Sequence, residues 1–465
     1  MLFRSRESLS EPVAMANQTR FILPFNNPGK PAKLAVKEIE NLLKTLDATT
    51  LLFLTYIRKI EYLLPDSSLG YIERIELGNS RYEIRLQQPD EYDPLSTWFL
   101  KFDKEVQIED DESDDESNRL KNCKVAVAFG LLPVETKAAT KKQNVDDINV
   151  TPEWELAPME PGSVCIYFPA DKETSNLRFH IHAPFASTVA RDSIRDCVGN
   201  DALRDHLADL LAESMHNIRD QGLLTVRSLA LLPNEKDNLT LFYKPLMARL
   251  VEEFNIQSLV PMKRGGHAAA YGIFRGQRAL SNLINDDDLI TLLGDGYFSP
   301  MWVANPTQRN QREDNFLSML MIKQWSVSEL VKALGQMKDD LRADWMRGKD
   351  DEWHQDLYEL IGDYLKSAPY YPEHIAKDRK KFISEIAFVQ ITKGKYLKGR
   401  KCYFPTDELR GNERFPQISK GIYTTKNGTN NKVREFLESI GVRELDEKIE
   451  IEVLLREQYS EKAIE

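Results

Sequence analysis

Between Gly162 and Pro233 the chain carries its most restrictive pattern: an apolar run, SVCIYFPA, then an alternating run, LRFHIHAPF, then apolar residues at helical spacing. The last of these places Leu203, Leu207, Leu210 and Leu211 on one face of a helix from about Asp201 to Asn217. LLTVRSLALLP reads as a returning strand closed by Pro233. Strand, strand, helix, strand predicts an α/β layer with the helix packed on one face of a sheet.

The flanking residues extend this layer. Thr19 to Phe25 (TRFILPF) reads as a short strand, and LAVKEIENLLKTL followed by LLFLTYIRKIEYLL as a helix running into a buried strand. Strands are expected at Tyr71 to Glu76, Tyr82 to Leu86 and Thr97 to Phe102, the first two joined by a Gly78-Asn79 turn, and at Lys124 to Phe129. Glu109 to Ser117 (EDDESDDES) repels itself and reads as a solvated loop. Residues 313 to 366 are mostly helical in pattern, and a last unit has strands at Glu385 to Ile391 and Lys401 to Phe404 before two helices, VREFLESIG and EKIEIEVLLREQY. The fold class is therefore α/β (α+β). At 465 residues more than one domain is expected: the regions are 1–30, 31–235, 236–375 and 376–465.

Charge and cysteine usage narrow the function classes. The net charge of −11 opposes generic polyanion binding, so any nucleic-acid contact has to be local. Cys123, Cys165, Cys197 and Cys402 lie far apart without a CxxC pair, which argues against a zinc site and for free thiols in a reducing cytoplasm. No apolar run approaches the ~18 residues of a membrane span, and no signal-peptide core is present in the first twenty residues.

Four segments carry candidate chemistry. MKRGGHAAAYGIFRG, Met262 to Gly276, sets Lys263, Arg264 and Arg275 among four glycines, a combination that suits phosphate, although no GxxxxGK[ST] is present. Its competing reading is a loop whose cations bridge to acidic neighbours. His180 and His182 fall on one face of a strand and could share a metal, or belong to an ordinary half-exposed strand; no third ligand is near, so no metal site is assigned. Arg309 and Arg312 precede a helix, and the run Asp286 to Asp288 offers carboxylates for a nuclease-like reading. There is no GxSxG, no HExxH and no cysteine in a catalytic setting, so an enzyme acting alone is not expected.

A resemblance adds to this reading. TRFILPF, followed by a helix, an apolar run and a sheet, resembles the exit from the ATP-binding domain of GHKL ATPases, which would make residues 1–30 the exit strand of such a domain. GSVCIYFPADKETSNLRFHIHAPFASTVARDSIRD, Gly162 to Asp196, resembles the middle domain of bacterial sacsin-like proteins, distant relatives of the ninety-kilodalton heat-shock chaperones. MWVANPTQRNQRED, DEWHQDLYELIG and VREFLESIGVRELDE are similar to later phrases of the same family. The resemblance implies a chaperone-like coupling or scaffold module, several relatives of which sit among anti-phage defence genes. It also implies a middle-domain arginine that reaches an ATP γ-phosphate, and VARDS puts Arg191 at that position. The acidic-plus-Asn helix, DxGxG loop and GxGFKS-type lid of the family's ATP site do not occur in these residues. ATP and magnesium are therefore expected only through a GHKL partner domain, with self-association left open. The alternative class is a nucleic-acid-binding or nuclease-like effector using Lys263, Arg264, Arg275 and Arg278.

Overall fold

The structure is a computed structural model, and it describes residues 24–25, 28–89, 91–109, 120–134, 154–189, 192–294, 300–306, 312–367, 373–392, 395–405, 415–425, 428–444, 451 and 455. The chain is a mixed α/β protein of two compact units, Met1–Phe99 with Tyr167–Pro169, and Leu100–Ile166 with Ala170–Glu465.

In the first unit α1 (Ala32–Lys44) and α2 (Thr49–Leu52) precede an antiparallel meander of β1 (Lys59–Leu63), β2 (Leu69–Gly78) and β3 (Arg81–Gln87). The β2–β3 turn forms where Gly78-Asn79 predicts it. Gly78, Asn79 and Ser80 all take positive φ (83°, 50° and 63°), a conformation glycine adopts freely and asparagine tolerates. Asp47 accepts from the Thr49 amide (2.9 Å) to open α2, and buried Arg74 donates to the carbonyls of Leu51 (2.7 Å) and Leu54 at its other end. A guanidinium thus adds charged donors to the carbonyls at a helix end. The strand expected at Thr19 to Phe25 lies outside the described residues except for Pro24 and Phe25.

The second unit holds most of β4 (Leu95–Glu109), then β5 (Leu120–Pro133), β6 (Trp154–Ala157), β7 (Ser163–Ile166), most of β8 (Phe168–Thr174) and β9 (His180–His182), in the order β4-β5-β9-β7-β8 with β6 also on β5. β9 pairs antiparallel with β5 (Ala126↔His182) and parallel with β7 (Cys165↔His182), so the sheet is mixed as expected. The helix α3 (Val198–Asp220) packs on β5 and on the later helix of residues 244–256, and its Leu203, Leu207, Leu210 and Leu211 are all buried. Residues 110–117 of the acidic tract lie outside the described residues.

Two local expectations are corrected. LLTVRSLALLP is not a strand; Arg227–Leu231 is a 3-10 turn. Thr225 and Ser228 cap each other, with the Thr225 amide donating to Ser228 Oγ (2.9 Å) and the Ser228 amide to Thr225 Oγ1 (3.3 Å), which winds the chain instead of extending it. Nor is the His180–His182 strand half-exposed. With a strand on either side, all three of its residues are buried.

The rest of the unit is largely helical: α4 (Lys244–Ile256), α5 (Arg278–Leu283), α6 (Asp286–Leu293), α7 (Arg312–Met319), α8 (Val327–Gln336), α9 (Asp339–Arg347), α10 (Asp351–Lys366), α11 (Glu373–Ser384) and α12 (Asn431–Ser439). Their starts follow local chemistry. Asn285 with Asp288 and Ser326 with Glu329 form reciprocal caps for α6 and α8, and Asp350 accepts from the Trp353 amide (2.8 Å) at α10. A common core gathers Trp302, Trp325, Leu330, Tyr358, Phe388 and Phe436. The C-terminal strands are shorter than the sequence predicts, Val389–Thr392 and Tyr403–Phe404; VREFLESIG forms most of α12, and the final expected helix is described only at Ile451 and Leu455.

Candidate functional site

The segment between β9 and α3 folds back on itself as a short hairpin. Ser187 and Ile194 form an antiparallel bridge, the Thr188 amide donates to Ser193 O (3.0 Å), and the Arg195 amide donates to Ala186 O (2.9 Å). Its base is locked by Asn200 in the first turn of α3. This buried side chain accepts from the Ala186 amide (2.8 Å) and donates to the carbonyls of Ala186 (2.9 Å) and Arg195 (2.7 Å). One amide group therefore holds both limbs of the loop.

A second set of bonds comes from β8. Lys172 donates its amide to Asp192 O (2.8 Å) and its ammonium to the Asp192 carboxylate (2.6 Å), which also accepts from Thr188 Oγ1 (2.9 Å). These hydrogen bonds, from Lys172 first and then Thr188, hold the Asp192 carboxyl below its ordinary range and raise the Lys172 ammonium. Glu173 accepts from the Ile194 amide (3.3 Å) and from the buried Tyr243 hydroxyl (3.0 Å), tying the loop to the residues before α4. Burial raises the Tyr243 hydroxyl far above its usual range, so it stays a donor. Beyond this bracing Val189 projects fully into solvent. The next residues, Ala190 and Arg191, lie outside the described residues.

Beside the loop opens a cavity of about 500 Å³. Phe185 and Leu203 line its apolar side, Lys121 and Arg195 bring positive charge, and Glu109 and Asp196 bring negative charge. Cys197 at the start of α3 supplies no side-chain cap, and Gly199 of the first turn faces the cavity. A balanced lining with a helix start suits a polar partner group better than a purely apolar ligand.

The basic segment is committed elsewhere. Lys263 donates to Ser281 O (2.5 Å) and Asn282 Oδ1 (2.8 Å), and burial lowers its ammonium from the usual lysine range. Arg275 pairs with Asp314 (2.7 Å) and donates to Ser318 Oγ (2.9 Å), while Arg264, largely exposed, stands 3.6 Å from Asp286 and 3.9 Å from Asp287. Arg312 grips both oxygens of Asp237 (2.5 and 2.7 Å) and Ala230 O (2.8 Å); Arg309 is outside the described residues. Within the Asp286–Asp288 run, Asp286 and Asp288 are engaged through the bonds below, while Asp287 is exposed. Asp286 accepts from the Trp302 amide (2.9 Å), and Asp288 accepts from Trp345 Nε1 (2.8 Å) and Lys349 Nζ (2.7 Å). Lys349 also lies over the perpendicular Trp345 and Trp353 rings, 5.8 and 5.4 Å from their centroids.

His180 and His182 each serve the backbone. His180 Nδ1 accepts from the Ser163 amide (2.8 Å), and His182 Nδ1 lies 3.1 Å from Cys165 O, to which it donates. Burial, reinforced by Lys101 and Lys124, pushes His182 down to about 4. Among the described residues no group of three or more His, Cys, Asp or Glu is arranged for a metal ion, and no helix is long and apolar enough to cross a membrane. Asn200 and Glu173 are the site residues that sequence reasoning missed; a polar side chain in a first helical turn or a strand gives no sign that it turns inward. No protein-family model, curated protein or solved structure matches the chain.

Proposed function

We propose that this chain is a non-catalytic coupling module for a GHKL-type ATPase domain supplied from outside these residues, presenting Arg191 to the terminal phosphate of bound ATP. The observation that carries the proposal is the loop spanning 186–195: fastened at its base by Asn200, Lys172 and Glu173, and projecting at Val189 just before Arg191. Preorganisation of this kind is what a charge-stabilising arginine needs, because phosphoryl transfer builds negative charge on the terminal oxygens. The neighbouring cavity, with Lys121 and Arg195, offers the partner domain a polar seat. A chaperone-like, phage-defence role follows from the sacsin resemblance alone and is part of the same proposal. The effector alternative draws less support, because Lys263 and Arg275 are spent on internal partners.

The test is Arg191→Ala in an assembly of this chain reconstituted with a GHKL ATPase domain. Turnover is expected to fall by roughly 10²- to 10³-fold, as on losing one preorganised donor, while the fold changes by less than about 0.5 kcal/mol. Unchanged turnover, or a variant that unfolds readily, would sink the proposal.

A further inference from the structure

In the first unit the meander β1-β2-β3 ends on β1, which pairs with β2 alone among the described strands. Backbone bonds show which of its groups that pairing uses. Arg58 O accepts from the Arg74 amide (2.7 Å), and the Leu64 amide donates to Ser68 O (2.9 Å), bracketing the register Lys59↔Glu73 to Leu63↔Leu69. Bonded and non-bonded residues alternate along an antiparallel pair. Ile60 and Tyr62 therefore turn their N–H and C=O groups to β2, while Lys59, Glu61 and Leu63 turn theirs away from it. Among the described residues nothing pairs with that outer edge.

The edge is held in place from behind. Tyr62 lies across its β2 partner Gly70, where any side chain would collide with the ring, and its hydroxyl donates to Gln88 Oε1 (3.2 Å). Lys59, Glu61 and Leu63 share the other face, because successive side chains alternate along a strand. Lys59 and Glu61 are exposed and paired with each other (2.6 Å). They are flanked by apolar residues in water: Ile57 is 50% exposed, Leu63 68%, and Leu69, opposite Leu63 on β2, 54%. A charged pair between two exposed aliphatic side chains makes this edge self-complementary.

We propose that two copies of this chain pair antiparallel along β1, about a two-fold axis at Ile60. The side chains select that register. It sets Lys59 of each copy opposite Glu61 of the other and Ile57 opposite Leu63, so charges alternate and the aliphatic residues cover one another. An axis at Glu61 or at Lys59 would oppose like charges, which is destabilising. One at Tyr62 would set Lys59 against Pro65, and one between two residues would aim outward groups at groups already bonded to β2. About Ile60 the outward N–H and C=O groups of both copies find partners, and the contact closes at two chains.

Light scattering on the full chain from about 1 to about 100 µM should show a mass rising from one chain to two, the range in which a modest interface dissociates. Lys59→Glu and, separately, Glu61→Lys each place like charges opposite one another twice across the axis, and should weaken the pair at least about tenfold. Both side chains are exposed, so both variants should melt like the parent. Mixing the two variants should restore the two-chain species, because each then meets opposite charges at both positions. The double exchange, Lys59→Glu with Glu61→Lys, should pair with itself as the parent does. A parent that is one chain at every concentration overturns the proposal. Single variants that stay paired overturn it too, as does a mixture that stays single.

Discussion

His182 shows what burial does to a titratable ring in this chain. It is neutral in the folded protein, pushed down to about 4 from the 6.5 of a free imidazole, because burial disfavours the charged ring and Lys101 and Lys124 oppose a further positive charge. Between about pH 6.5 and 4 the unfolded chain binds a proton at this ring that the folded chain does not. Its contribution is therefore complete above the unfolded value and is lost as pH falls through that window, amounting to about 3 kcal/mol. His182→Asn, which keeps a donor for Cys165 O, should be less stable than the parent at pH 7 yet show a flatter acid limb, by up to about 1.4 kcal/mol per pH unit. Denaturant midpoints measured from pH 4 to 7 for both proteins check this; parallel curves would mean that the ring takes up its proton without unfolding.

The loop ahead of α3 poses the same question one level up, since a single side chain holds two limbs together. Asn200→Ala leaves the Ala186 amide and the carbonyls of Ala186 and Arg195 without their side-chain partner, and should cost about 2–4 kcal/mol. Hydrogen exchange should quicken at Ala186, Thr188 and Arg195 before it does in β5; uniform quickening would show that the loop and the sheet open together. Elements with long or strongly alternating patterns were legible in the sequence: the β2–β3 hairpin, α3, and the helical character of 313–366 that α7 to α10 fill. The Arg227–Leu231 turn was not, because an apolar run ended by proline suits a strand equally well, although Thr225 and Ser228 three apart are themselves a turn signal. Of the candidate site, the end of the LRFHIHAPF strand at Pro184 was legible in the sequence, while Ala190 and Arg191 of VARDS lie outside the described residues. The fastening of the loop was not legible, because Asn200, Lys172 and Glu173 reach it across 14, 20 and 21 residues, and no local pattern records such pairings.

At the scale of the whole chain, the proposed division of labour assigns nucleotide to a partner. Titration of magnesium-ATP into this chain alone is expected to give no saturable heat in the micromolar range, because the family's carboxylate and glycine-loop ligands do not occur in its sequence; a micromolar site would end the coupling reading. The seating of β9 bears on how such a chain is made. Its β7 partner Val164 lies 17 residues from Ile181, but its β5 partner Ala126 lies 56 residues from His182. On a ribosome adding about 5–20 residues each second, the edge of β5 that carries Val125 and Val127 waits roughly 3 to 11 s for β9 to emerge. During that interval an apolar strand edge is open beside other nascent copies, so the yield of folded protein should depend on how quickly synthesis crosses residues 134–182.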